Sequence, residues 1–381
     1  MQSINVLDIR VYRDIDEIDA AEWDALLGPE DLLMSHRFIR ACQQARIENA
    51  EFWHLVIKKD DAVVGIATLH RIIVNLELLS NGLTRKLVRV MKSVWPNFFR
   101  LPVLFCGLPI SSAQPCLKIS SEVDFNHAFG AVIEVMERIA ASTSTRLLCF
   151  KEFTPEESEQ MDFALSRGYF RAFSLPSCSI ALPFDSFFSY LASMKSSYRR
   201  QVQSTLRARR ETGLRVRHLD AADAQVETIF ALYSQTIRRA QQRLETLNAE
   251  FFRLLDICLR NQAKVVLIEL DGRPLAMAVM LFAGNVATFL FAGMEDERKP
   301  EWQLYQNLLL DVVASAIDAG ATRLELGQTS YAMKSRMGAE ESPRYLYLRY
   351  RGAVKHSLLR RFSSVLFPKY EYPRRRVFAR S

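Results

Sequence analysis

The residues best placed for chemistry follow one short strand-like segment. RLELG (323–327) is succeeded by Gln328, Thr329, Ser330 and Tyr331, then by Lys334 and Arg336 ahead of the small turn Met337-Gly338. Open α/β sheets hold their ligands at the carboxyl ends of strands, and this is such an end. A lysine there could stabilise an oxyanion or a phosphate, and as a point charge it needs less demanding geometry than arginine. Gly327 would let a ligand approach the backbone closely. The available carboxylates for a base are Glu325 on the segment and Glu295 or Asp296 at the end of ATFLFAGMEDE. Each residue also has a plain structural reading: a core tyrosine with a satisfied hydroxyl, a surface lysine on a short helix, a strand-ending glycine, ordinary surface acids.

A second chemical feature is charge. The chain has 381 residues and a net charge of +7, and the surplus is local. Arg349 to Ser381 nets +9, Lys195 to Arg217 nets +7 and Arg85 to Arg100 nets +5, which leaves −14 for everything else. Within SSYRRQVQSTLRARRETG (196–213), helical spacing puts Arg199, Arg200, Arg207 and Arg210 inside an arc of about 100°, beside a thin stripe of Tyr198, Val202 and Leu206. That face could hold phosphates, or could be a solvated linking helix paired with the acidic remainder.

Composition excludes several classes. At 49% hydrophobic and 24% charged, with 14 Gly and 13 Pro, the chain is neither disordered nor collagenous nor a coiled-coil rod. No stretch approaches the ~20 apolar residues of a membrane span, and MQSINVLDIRVYRD lacks the apolar core of a signal peptide, so a cytoplasmic protein is expected. The six cysteines have no CxxC pair and read as buried thiols; the six histidines are scattered, and no metal site is expected.

The elements that must position these groups occur twice. EFWHLVIKKDDAVVGIATLHRIIV and VVLIELDGRPLAMAVMLF both read as hairpins, and residues 57–67 align without gaps over 268–278. In the first half a strand, LPVLFCGLP, a helix from Asp124 to about Ala141 and a strand, RLLCFKEF, follow, and a helix through Gly168 closes it. In the second, ATFLFAGM is followed by a helix opened by Pro300 and Glu301 and closed by Gly320, then by RLELG. Tyr305, Leu308, Leu309, Val312, Val313, Ala316 and Ile317 share its apolar face. LTRKLVRVMKSVWPNFFR reads as a basic, aromatic helical stretch. The reading is a mixed α/β fold with two copies of one unit.

This plan, with SSYRRQVQSTLRARRETG before the second half, PEWQLYQNLLLDVVASAIDAGATRLELG within it, and QTSYAMKSRMGAE and YLYLRYR after it, resembles the tandem acyltransferase fold of the GNAT superfamily and, more narrowly, its FemAB-like branch. The resemblance implies α+β mixed sheets in two tandem GNAT-like domains joined by an Arg-rich helix: an N-terminal domain over 1–180, a C-terminal catalytic domain over 181–351 and a basic aromatic tail over 352–381. It implies Tyr331 as the acid for a leaving thiolate and matches Lys334 to a lysine of the FemAB-like pattern, with Glu325 as a candidate base. Gln303, Gly327, Arg199, Arg200 and Lys299 are the expected donor-binding residues. The chain departs from the superfamily at one place. Acetyl-CoA-dependent members carry a Gly-rich turn before the central helix, where backbone N–H groups meet the pyrophosphate, but here the sequence is ERKPEWQLY, with no glycine.

Three functions are compatible with these residues. The first is an N-acyltransferase that moves an acyl group from a thioester, on CoA or an acyl-carrier protein as co-substrate, to a primary amine on a lipid or envelope precursor; ceramide-synthase-like N-acylation is one option. No tightly bound cofactor is expected. The second is a FemAB-like peptidyltransferase using aminoacyl-tRNA, against which counts the lack of a long coiled-coil arm between the halves. The third is a non-catalytic basic adaptor on an anionic membrane, suggested by KHSLLRRFSSVLFPKYEYPRRRVFAR; a peripheral location at the inner face of the membrane would suit this and the first reading alike. The first half, with only Lys151 and Glu152 after RLLCF, is expected to shape an acceptor cleft.

Overall fold

The computed structural model describes residues 7–75, 100–110, 112–220, 225–239, 245–295, 302–370 and 372–379. The strands in chain order are β1 (Asp8–Tyr12), β2 (Glu51–Lys59), β3 (Ala62–Asn75), β4 (Arg100–Cys106), β5 (Leu117–Ile119), β6 (Leu147–Phe153), β7 (Phe170–Phe173) and β8 (Ser177–Ala181). The remainder are β9 (Arg215–Asp220), β10 (Ala263–Leu270), β11 (Arg273–Ala283), β12 (Val286–Met294), β13 (Arg323–Gly327), β14 (Glu340–Ser342) and β15 (Tyr345–Tyr350). They form two mixed sheets, one in each of two compact units.

The first unit comprises Met1–Leu175, Gln241–Leu247 and Pro343–Tyr370. Its sheet runs β1-β2-β3-β4-β6-β15-β7, with β5 on β3. The helix Phe125–Ser142 starts at Asp124, whose side chain accepts from the backbone N–H of His127, as the sequence leads one to expect. Its buried face, Phe129, Val132, Ile133 and Met136, packs on Leu104 and Phe150 of the sheet. The expected single helix through Gly168 is two, Pro155–Met161 and Phe163–Ser166. They part at Asp162, whose carboxylate accepts from the Tyr347 hydroxyl at 2.7 Å and pairs with Arg171 at 3.0 Å. The basic stretch 83–99 lies outside the described residues; Arg100 begins β4.

The second unit comprises Pro176–Ala240, Asn248–Ser342 and Glu371–Ser381. Its sheet runs β14-β8-β13-β12-β11-β10-β9. The central helix, Leu304–Asp318, starts later than Pro300 would suggest, after Gln303 in a left-handed conformation with φ 45°. Leu308, Leu309, Val312, Val313, Ala316 and Ile317 are buried, as their spacing implies, and Tyr305 is only partly so.

The repeat extends to fine detail. The β2–β3 turn is Asp60-Asp61 (φ 49° and 63°) and the β10–β11 turn is Asp271-Gly272 (φ 51° and 78°), both two-residue turns with positive φ at each position. The ladder register shifts between Ile57 and Lys58 in one hairpin and between Ile268 and Glu269 in the other, at aligned positions.

The units divide the chain differently from the expected boundaries at 180 and 351. β15 lies in the first unit's sheet, between β6 and β7. β8, from the end of the first half, lies in the second unit's sheet between β13 and β14. Each sheet thus takes one strand from the other half of the sequence. The tail is also divided: 353–366 is helical in the first unit, and 372–379 packs in the second. There Val377 is 1% exposed and its carbonyl accepts from Lys195 N–H at 2.9 Å. Phe378 lies against Gly338 so closely that a Cβ at that glycine, at φ 90°, would come within 2.4 Å of its ring.

Candidate functional site

The site in the second unit begins where two parallel strands part. β12 and β13 pair only from Val286–Thr288 to Arg323–Glu325, although β12 continues to Met294. Beyond that point Gly327 pairs with Cys178 of β8, and a register shift between Val279 and Met280 displaces β12 near Phe289. The strands therefore open at Phe289 and Leu326. A Cβ at Gly327 (φ 65°) would meet nothing within 4 Å, so the backbone there is approachable.

After Gly327 the chain turns through Thr329 (φ 70°) and Ser330 (φ 53°) into the short helix Tyr331–Lys334. Two consecutive non-glycine residues in the left-handed region cost on the order of 1–3 kcal/mol each, and such strain persists where the surroundings over-determine it. Lys334 is one such determinant. Its Nζ donates to the Gln328 carbonyl at 2.8 Å and, at 3.4 Å, toward that of Gly327, and it lies 6.0 Å from the centroid of the Phe289 ring. The side chain is 2% exposed. Burial lowers its pKa to about 8. The expected alternative, a surface lysine, does not hold.

Tyr331 is also buried. Its hydroxyl donates to the Pro176 carbonyl at 2.8 Å, its ring stacks on Tyr372 at 4.3 Å, and burial pushes its pKa up. Tyr305 hydrogen-bonds with Ser330, and burial raises it to about 12. The Cys178 thiol, pushed up to about 12 by burial, stays protonated. Tyr305, Ser330, Tyr331, Lys334 and Gly327 thus gather at one strand end.

The remaining expected residues go elsewhere. Glu325 pairs with Arg323 at 3.0 Å on the same face of β13, and Glu295 pairs with Arg273 at 2.8 Å. Gln303 accepts from the Thr205 hydroxyl at 2.8 Å, which joins the arginine helix, Ser196–Glu211, to the start of the central helix. Arg199 donates to the Ala192 carbonyl at 3.1 Å, and Arg200, Arg207 and Arg210 are exposed. Lys299, with Asp296 and Arg298, lies outside the described residues. Sequence reading missed Arg209, which pairs with Asp311 of the central helix in a part-buried ion pair. The signal was available, because Arg209 falls on the stripe of Val202 and Leu206 and not on the arginine face.

The first unit has its own polar cluster at the matching strand end. Three side chains hold the carbonyls of the loop after β4: His70 Nδ1 donates to Gly107 at 2.7 Å, Lys151 Nζ to Ile110 at 3.0 Å and Arg344 Nε to Ala113 at 2.9 Å. Burial, reinforced by Lys151, lowers the His70 pKa to about 3, so the imidazole is neutral and carries its proton on Nδ1. Beside them Glu152 is 2% exposed with φ 72°, and its Oε2 and the Ser112 hydroxyl oxygen have no hydrogen-bond partner among the described residues. Burial raises the Glu152 pKa.

Residues 196–335 match the family model described as an acetyltransferase (GNAT) domain. This stretch is similar to GNAT domains. No curated protein matches the chain. Among solved structures, FemX is 14% identical, with a TM-score of 0.59 over 92% of this chain and 100% of its own. A tandem GNAT protein from the clavulanic acid biosynthesis pathway is 12% identical, with a TM-score of 0.55 over 91% of this chain and 99% of its own. L-PGS from Bacillus licheniformis is 10% identical, with a TM-score of 0.53 over 92% and 96%. At such identities these likenesses show the fold: the chain has the tandem GNAT fold, with the family-model match in the second half. Among the described residues no helix is long and apolar enough to cross a membrane.

Proposed function

We propose that the protein is an N-acyltransferase that moves an acyl group from a thioester donor, on CoA or a carrier protein, to a primary amine. The observation that carries this reading is the buried Lys334 ammonium at the point where β12 and β13 part in the GNAT domain. The amine attacks the acyl carbon, a C–N bond forms, the C–S bond breaks and the amine releases a proton. Lys334 gives a proton to the departing thiolate and regains one from solvent. Its pKa of about 8 is close to that of an ordinary thiol, the match that proton transfer requires. Tyr331, with its hydroxyl committed to the Pro176 carbonyl, acts as a positioning residue that fixes the start of the turn.

A second reading, aminoacyl transfer from charged tRNA, is favoured by ERKPEWQLY, which lacks the phosphate-binding glycines, and by the exposed Arg200, Arg207 and Arg210. Incubation with a panel of acyl-CoAs and primary amines, following free thiol, separates the two. Amine-dependent thiol release supports thioester chemistry. Consumption of charged tRNA without turnover of any acyl-CoA overturns it.

A further inference from the structure

From the surface of the first unit we infer that the segment 353–366 docks the protein on an anionic membrane surface. It consists of the helices Ala353–Arg361 and Ser363–Leu366, neither of which buries a residue fully. Val354, Leu358, Phe362 and Leu366 recur at every fourth position, so they form one stripe along the helical surface. They are 75%, 50%, 50% and 50% exposed, and Val365 beside them is 62% exposed. These five account for half of the ten large hydrophobic residues exposed among the described residues.

The neighbouring side of the segment is already used. Leu359 and Phe367 pack inward on a cluster that includes Ile72, Val103, Cys149 and Phe170. The stripe is not part of that cluster and remains exposed. Its flanks are cationic: Arg351, Lys355, Arg360, Arg361 and Lys369 are all exposed, and no Asp or Glu lies between Arg351 and Lys369. A narrow apolar stripe with cations beside it is the composition of helices that lie in a bilayer interface, the apolar side chains entering the acyl boundary while the cations meet anionic headgroups. Charge complementarity selects an anionic surface. Five side chains fall well short of the roughly 800 Å² per partner of a stable protein interface, which argues against a second copy. This inference does not depend on the acyl-transfer reading.

The test is co-sedimentation of the full-length protein with vesicles of phosphatidylcholine alone and of phosphatidylcholine mixed with phosphatidylglycerol. The wild type should bind the mixed vesicles, bind the neutral ones far less and release as salt rises. Leu358→Ser, Phe362→Ser and Val365→Ser combined should reduce binding by about tenfold or more, and Arg360→Gln with Arg361→Gln should reduce it to a lesser extent. All these positions are exposed, and circular dichroism checks that the variants fold. Equal binding by the triple-serine variant, equal binding to neutral vesicles, or no wild-type binding at low salt would overturn the inference. So would a dimer in solution that the triple-serine variant dissolves, because the stripe would then serve a second copy.

Discussion

The Lys334 ammonium donates to the Gln328 carbonyl at 2.8 Å, closing the left-handed turn that carries Thr329 and Ser330. Burial holds this group at about 8 when folded, against an ordinary value of 10.5. Between those two values the unfolded chain binds more protons than the folded one, so this lysine's contribution to stability rises with pH over about 8 to 10.5. Urea denaturation at a series of pH values should show that rise in the wild type and lose it in Lys334→Met. If Lys334 is the proton donor, the rate of acyl transfer should instead fall as pH rises through about 8, where it loses its proton.

Tyr331→Phe removes the donor to the Pro176 carbonyl but keeps the ring on Tyr372. A buried carbonyl left without its donor costs about 1–3 kcal/mol, so the melting temperature should drop while kcat stays within about tenfold. A loss of more than about a hundredfold in kcat without a change in stability would make the phenol the acid itself.

Arg209 and Asp311 tie the arginine helix to the central helix. Removing one partner of a part-buried ion pair strands the other charge, and Arg209→Met should cost about 3 kcal/mol in urea denaturation. Arg209→Met with Asp311→Leu should recover much of that loss, since an apolar pair of similar size has no desolvation to overcome. An equal loss in the double variant would show that the pair itself is not the connection.

Glu152 in the first unit has a raised pKa because it is buried. The stability associated with its protonated form is fully present below the ordinary carboxylate value of 4.5 and is lost as pH rises through the higher folded value. Glu152→Gln should therefore be more stable than the wild type at pH 8, with the difference shrinking toward pH 4. Thermal melts at the two pH values check this. Unchanged or lower stability at pH 8 would mean that a charged Glu152 has a stabilising partner.

Much of the fold is legible in the sequence because hairpins and amphipathic helices are local patterns. The Asp60-Asp61 and Asp271-Gly272 turns, the Asp124 cap and the RLELG strand all follow from neighbouring residues. Strand partnership is not local, so nothing in YLYLRY indicates that β15 joins the sheet of the first half. The candidate site is legible in part for the same reason. The positions of Tyr331 and Lys334 after the strand could be read, but the burial of Lys334 depends on Phe289 and Gln328, and the Tyr331 partner, Pro176, is 155 residues away. Glu325 shows the converse: as a carboxylate on the critical strand it looked chemical, yet alternation places it beside Arg323.

The central claim is that Lys334 serves acyl transfer in the GNAT domain, and thiol release by the wild type and by Lys334→Met, with saturating acyl-CoA and amine, tests it most directly. Loss of a general acid is worth about 10²–10⁴ in rate, and a loss of that size with the fold intact by circular dichroism is the expected result. A folded Lys334→Met protein that turns over at the wild-type rate would contradict the account.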